Sequence, residues 1–364
     1  MSIVHIEGFE TMGPTSATSA EVRTRLAERY TTNLGSVPVL LVTDFAGTHK
    51  ALRLPSSFTP SVYVAFELPA AMQVNTGGGS SAAEAMIFHV RVKLPASLSS
   101  PHSLIRFSSD NATTTLLDLV ISTNCQNISQ ERLGSARGTA TGVLTPSAWN
   151  VIEWEFKPRT NANGGYGIVR VNGTQVINHT TDDFAFGANN RPSWGIRLAT
   201  VFGTAGAGDF EFDDIYIMDR NVTPNNASLG GVRVRPSFPN ADTAEKDWTP
   251  DTGSVNFSRV SDPYGAGYVE TDVDANLDRY GLENAPADSV IHAVKVEARA
   301  INSTSGSPDL VFGLHNTTTV ERTVVVSNTA TTDVFSTIVN EKPGGGAWTE
   351  ADFNSTEASI RFEA

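Results

Sequence analysis

The stretch Trp149-Asn-Val-Ile-Glu-Trp-Glu-Phe156 decides how this chain is read. Ile152, Trp154 and Phe156 fall on one face and Glu153 and Glu155 on the other, the period-two alternation of a half-buried β-strand. Turn chemistry follows: Asn161-Ala-Asn-Gly-Gly165, then Tyr166-Gly-Ile-Val-Arg-Val171, then Asn172-Gly173 leading into Thr174-Gln-Val-Ile177. Asn-Gly between alternating runs is a strong hairpin signal, because a type I′ turn needs positive φ at both central residues. The pattern predicts a meander of three strands from Trp149 to Asn178.

Working outward, the same alternation recurs. Val290-Ile-His-Ala-Val-Lys-Val-Glu-Ala-Arg299 sets Val294, Val296 and Ala298 inward and Lys295, Glu297 and Arg299 outward. Met86–Val92, Leu116–Ile121 and Ile360–Ala364 read as further strands, and Phe210–Asp219 as the last strand of a first domain. One helix is predicted, starting at Ser19 as N-cap, with Val22, Leu26 and Tyr30 at helical spacing and Gly35 closing it. Asn221–Gly231 is a turn-rich connection, and Thr76–Ser81 and Lys342–Gly346 read as exposed loop tips. A chain of 364 residues exceeds one ordinary sandwich. The expected fold class is all-β: two β-sandwich, jelly-roll-like domains, residues 1–220 and 221–364, with one short N-terminal helix.

Composition narrows the function classes. The 26 Lys and Arg are scattered and outnumbered by 39 Asp and Glu, for a formal charge of −13, so no nucleic-acid partner is expected. Cys125 is the single cysteine, which forbids an internal disulfide and suits synthesis in a reducing compartment. Met1–Glu10 has no basic start or apolar run, and no stretch approaches the ~20 apolar residues of a membrane span, so neither export nor membrane insertion is expected. The ten Asn-x-Ser/Thr triplets, Asn111 and Asn172 among them, are then expected to be unmodified.

Trp149–Trp154, Val171-Asn-Gly173 and Phe212-Asp-Asp-Ile-Tyr-Ile217, in that order, resemble concanavalin A-like, laminin-G-like jelly rolls. Ile6–Glu10, Arg29-Tyr30 and Ala51–Pro55 resemble the start of one group of these, the structural proteins of tailed bacteriophages. Leu229-Gly-Gly-Val-Arg-Val-Arg-Pro236 is similar to a Leu-Gly-Asp-Val-Arg-Val stretch joining two domains in that group, with Gly231 here in place of Asp. Trp248–Ser254, Tyr268–Glu270 and Val290–Val294 continue the likeness. The resemblance implies a non-enzymatic structural component on the exterior of a phage particle, tail-associated (fibre, tip or baseplate) or capsid-decorating. Its partners would be other virion proteins, further copies of itself and host surface glycans, and it would reside in the virion after assembly in the host cytoplasm. The alternative is a free carbohydrate-binding or glycan-degrading sandwich protein.

That fold class carries known chemistry. Its glucanases place paired carboxylates in a Glu-x-Asp-x-x-Glu pattern, and here Glu211-Phe-Asp213-Asp-Ile-Tyr216 has tyrosine at the last place. Asp213 and Asp214 are expected instead to end a strand and hydrogen-bond a loop. Asp272, Asp274, Asn276 and Asp278, with Glu283 at the twelfth place, imitate a calcium loop, but Leu277 stands where glycine makes the sharp turn. Cys125 has no histidine near in sequence, and His5, His49, His89, His102, His179, His292 and His315 lack metal-ligand spacing. Gly77-Gly-Gly-Ser80 lacks the lysine of a phosphate loop. Trp194 and Trp348 are placed either to platform a sugar or to pack inward. The expectation is therefore no enzyme, with no catalytic, cofactor-binding or metal residues and no cofactor.

Overall fold

The computed structural model of the chain describes residues 3–34, 38–44, 49–55, 62–68, 85–109, 114–132, 134–157, 165–180, 193–201, 208–220, 227–262, 264–265, 267–303, 306–327 and 331–364. The chain divides between Arg235 and Pro236 into two compact units. This division lies downstream of residue 220, because Arg233 and Val234 are bonded to Asp44 and Asp214 of the first unit. Residues 221–226 lie outside the described residues.

The first unit is a sandwich of two antiparallel sheets. From edge to edge the larger runs Thr174–His179, Tyr166–Val171, Trp149–Lys157, Met86–Lys93, Asp209–Asp219, Lys50–Pro55 and Leu40–Thr43, with Ile3–Glu7 also pairing with Asp209–Asp219. The smaller, seven-stranded sheet runs Ser135–Ala140, Ile128–Arg132, Thr114–Ile121, His102–Ser109, Ser193–Val201, Val62–Glu67 and Thr31–Asn33. Several neighbours are distant in sequence, such as Met86–Lys93 beside Asp209–Asp219 and His102–Ser109 beside Ser193–Val201, the mark of a jelly roll rather than a simple meander. Between the sheets lies one core that includes Phe66, Phe88, Phe107, Trp154, Phe156, Phe210 and Phe212. The indole N–H of Trp154 donates to Gln130 Oε1 across the sandwich at 2.8 Å, so the largest core ring keeps its polar atom satisfied.

Trp149–Lys157, Tyr166–Val171 and Thr174–His179 form the predicted meander, with Ile152, Trp154 and Phe156 fully buried. Asn172 and Gly173 have φ of 51° and 81°, the signs a type I′ turn demands. Asn172 also accepts from the Val151 amide at 2.8 Å, which fastens the turn to its neighbour.

The N-terminal helix spans Ser19–Ala27 and buries Val22 and Leu26. Its cap is Thr18, one residue before the expected Ser19: Thr18 and Glu21 satisfy each other's backbone amides in a capping box. The helix ends before Tyr30, whose hydroxyl hydrogen-bonds Glu7 instead. Gly35, the expected terminator, lies outside the described residues, as does the whole of the Thr76–Ser81 loop.

The second unit has a five-stranded antiparallel sheet ordered Pro239–Lys246, Leu277–Leu282, Glu357–Glu363, Asp309–His315 and Thr319–Val325. A ribbon of Val294–Ala300 and Asp333–Val339 packs on it, with Val296, Ala298, Ala300 and Phe335 meeting Leu310, Phe312 and Val326. Val290–Ala293 is not strand, so the predicted run is shortened at its start. Two short helices not expected from the sequence, Phe257–Val260 and Glu350–Asn354, complete this unit. The all-β class with β-sandwich units holds.

A Cβ added at Gly173 would meet nothing within 4 Å, so substitution there tests the backbone alone. Gly173→Val is expected to cost about 1–3 kcal/mol through positive-φ strain. Urea unfolding should read this as a lowered midpoint with unchanged slope.

Candidate functional site

In a sandwich the outward face of each sheet normally meets water. Both outward faces of the first unit instead carry charged groups that are almost fully buried, and the two differ in how those charges are matched.

On the larger sheet, Glu153, Glu155, His89, Glu211 and Asp213 occupy outward positions and are each at most 6% exposed. The alternation read from Glu153 and Glu155 is right, but water does not cover them. Glu155 is met by Arg170 at 3.1 Å and Arg220 at 2.6 Å, and Glu211 by Arg53 at 2.6 Å and Lys93 at 3.2 Å. Asp214 sits at a β-bulge with φ of 50°, where the register of Asp209–Asp219 against Met86–Lys93 shifts. It accepts from Arg91 and from the Val234 amide, each at 2.8 Å, and Arg233 stands 3.1 Å away as an ion pair. Asp213 and Asp214 thus lie inside the strand rather than at its end, though Asp214 does bind the junction segment. Burial, with the Asp214 charge beside it, pushes the Asp213 carboxyl up to about 9. Burial likewise raises Glu10 to about 7, although the Lys50 amide donates to it at 2.8 Å.

This arrangement disposes of the glucanase pattern. Glu211 is engaged by two cations, Asp213 is 1% exposed, and Tyr216 is stacked on His89 with ring centroids 4.4 Å apart. His89 donates from Nδ1 to the Asp214 carbonyl, and burial pulls its basicity down to about 3, so the ring is neutral.

The other sequence candidates are dispersed. Asp272 and Asp274 are exposed in a turn, while Asp278 is buried and turned to the Trp248 amide, Asn256 and the Tyr280 hydroxyl at 2.7–2.8 Å. Among the described residues no group of three or more His, Cys, Asp or Glu is placed to hold a metal. Cys125 lies in the core, its thiol pushed up to about 11 by burial. Trp348 is 5% exposed, packs edge-on to Phe353 and donates to the Val339 carbonyl, so it platforms nothing. Trp194 falls within the strand Ser193–Val201.

The smaller sheet carries the more suggestive face. Strand register places Arg197 opposite Arg106, Arg106 opposite Asp118 and Asp118 opposite Glu131, one row across four strands. Arg106 grips Asp118 with two bonds of 2.8 and 3.2 Å, and Ser103 donates to the same carboxylate at 2.9 Å. A recess of about 360 Å³ opens over this row, lined by Ser103, Arg106, Asp118 and Glu131 with Pro101 and Val120. Glu131 differs from Asp118: among the described residues no arginine is shown paired with it, and desolvation together with the Asp118 charge raises its carboxyl above the usual range. The recess therefore holds two neighbouring carboxyl groups in contrasting surroundings, the arrangement from which acid–base chemistry is built.

None of these residues was singled out from the sequence. A signal existed: Leu104-Ile-Arg-Phe107 and Gly195-Ile-Arg-Leu198 both hold an arginine at the outward place between core residues. Only the strand register shows that the two arginines face one another.

No family model and no curated protein matches the chain. Solved structures similar to it include an alginate lyase, Aly36B, as a mutant in complex with alginate trisaccharide. That match has 11% identity and a TM-score of 0.41, over 59% of this chain and 97% of the other. Another is the cellulose-induced protein Cip1, with 14% identity, a TM-score of 0.37, and coverage of 63% of this chain and 100% of the other. A third is the GH131 β-glucanase catalytic domain from Podospora anserina, with 10% identity and a TM-score of 0.32 over 55% and 84%. The expectation of no enzymatic role is corrected here. Alginate lyases and a glucanase stand among the structures similar to this chain.

Two measurements test the electrostatics of the larger sheet. Asp214→Ala leaves Arg91 and Arg233 facing each other without their shared acceptor and should cost about 3–5 kcal/mol in urea unfolding. Glu10, raised to about 7 from an ordinary 4.5, stabilises fully below about pH 4.5, and that contribution is lost as pH rises through 7. Between those values the unfolding midpoint of the unaltered chain should fall more steeply than that of Glu10→Gln.

Proposed function

We propose that the first unit is a glycan-active sandwich that takes a sugar chain into the recess over its seven-stranded sheet. The observation that carries this reading is the recess itself, with Asp118 neutralised by Arg106 and Glu131 held more basic beside it. A cleft with a few convergent polar groups and a perturbed carboxyl is the ordinary setting for ligand binding and acid–base catalysis. In this role Arg106 fixes Asp118, the two line one wall, and Glu131 exchanges the proton with the glycosidic oxygen or the sugar ring.

The resemblance carried by the ordered motifs up to Leu229–Pro236 supports a second proposal, that this face works on the exterior of a phage particle against host surface glycans. Mass spectrometry of purified particles tests that location, and absence of the chain from them overturns it.

The activity test is a panel of neutral and anionic polysaccharides, followed both by new reducing ends and by ultraviolet absorbance of unsaturated products. Glu131→Gln is expected to keep glycan affinity within about threefold and to lower turnover by about 10²–10⁴-fold, the usual share of a general acid–base group. Failure of the unaltered chain to bind any polysaccharide would overturn the glycan reading.

A further inference from the structure

Arg197 is the charged group that the proposed glycan face leaves unmatched. Its side chain is 5% exposed, yet among the described residues no carboxylate lies within 4 Å of it, and its Nε and Nη2 have no hydrogen-bond acceptor. The guanidinium lies over the Tyr63 ring, 4.2 Å from its centroid, which holds the plane in place without neutralising it. Across the strand pair stands Arg106, another cation, whose own carboxylate Asp118 is engaged by two bonds. Like charges directly opposite on a sheet repel. Burial above all, with the Arg106 charge, lowers the basicity of Arg197 to about 10, although Tyr63 and the more distant Asp118 pull the other way.

A buried cation without an anion is strongly unfavourable, and buried polar groups are nearly always bonded. An orphaned guanidinium on the strand next to Arg106, which lines the recess, calls for an acceptor from outside the chain. A guanidinium presents a planar fork of N–H groups that matches an oxyanion in two parallel bonds, which a neutral sugar hydroxyl does not supply.

We infer that Arg197, stacked on Tyr63, is a receptor for an anionic group on the sugar chain, a ring carboxylate or a sulfate ester. The inference rests on the glycan reading of this face and narrows it to acidic polysaccharides. The bound anion neutralises the excess positive charge of the Arg197–Arg106 pair. Specificity follows because a neutral glucan leaves Arg197 desolvated and unpaired.

Isothermal titration with polygalacturonate, a sulfated galactan and a neutral β-glucan tests this. The chain should bind one of the two anionic polymers at least tenfold more tightly than the glucan, and which one separates carboxylate from sulfate. Arg197→Met should remove that preference and flatten the salt dependence, while the variant melts at or above the unaltered Tm because an unmatched buried charge has gone. Arg197→Lys, a charge without the fork, should restore only part of the preference. A measurement needing no variant is the Tm of the unaltered chain, raised by millimolar glucuronate or a monosaccharide sulfate and unmoved by glucose. Equal affinity for charged and neutral polymers, or a preference that survives Arg197→Met, overturns the receptor and leaves the glycan reading standing. Binding of no polymer overturns both.

Discussion

One buried carboxylate organises the larger sheet. Asp214 is fully removed from water and is accepted there because Arg91 reaches it from the adjacent strand and Arg233 and the Val234 amide reach it from the segment after the last strand. A charge in such a place is tolerable only when its lone pairs are filled. The bulge at positive φ turns the Asp214 carboxylate toward those donors, and the same bulge shifts the register that brings Tyr216 onto His89. Arg233 also meets Asp44, so one arginine joins two carboxylates from separate parts of the chain. The first unit thereby includes residues that composition alone assigns to a connection.

The two outward faces of this unit are opposites in electrostatic logic. On the larger sheet three buried acids have basic partners within the chain, Glu155 with Arg170 and Arg220, Glu211 with Arg53 and Lys93, and Asp214 with Arg91 and Arg233, while Asp213 is raised by burial beside Asp214. Those ion pairs form a structural network. On the smaller sheet the balance is left open, with Arg106 and Asp118 matched, Glu131 raised and Arg197 unmatched. Residues that break the rule of paired buried charge mark function more reliably than those that obey it.

Local pattern made the framework legible. The Trp149–Lys157 strand, the Asn172-Gly173 turn and the inward set Ile152, Trp154 and Phe156 all follow from period two and turn chemistry, which act over a few residues. The Thr18 cap was missed by one place because Thr18 and Ser19 offer the same hydroxyl, and only the reach of Glu21 distinguishes them. The candidate site was not legible, for a different reason. Arg106, Asp118, Glu131 and Arg197 are outward residues on four strands scattered over ninety-odd positions, and nothing local says which of them become neighbours. Alternation shows that Glu153 points away from the core, but not that other chain segments bury it again. Tyr216 drew notice as a missing carboxylate, whereas in the fold it is an aromatic ring packed against a neutral histidine.

Cys125 gives this molecule a built-in reporter. Its backbone adopts φ of 54° in a tight turn, and its sulfur is sealed among core side chains of the first unit. The chain has no other cysteine. A thiol reagent in solution therefore reacts only when that core opens, and it does so at a rate set by the opening free energy when reclosing is fast. Because the second unit has no thiol, the labelling rate isolates the breathing of one sandwich from that of its companion, without any engineered probe.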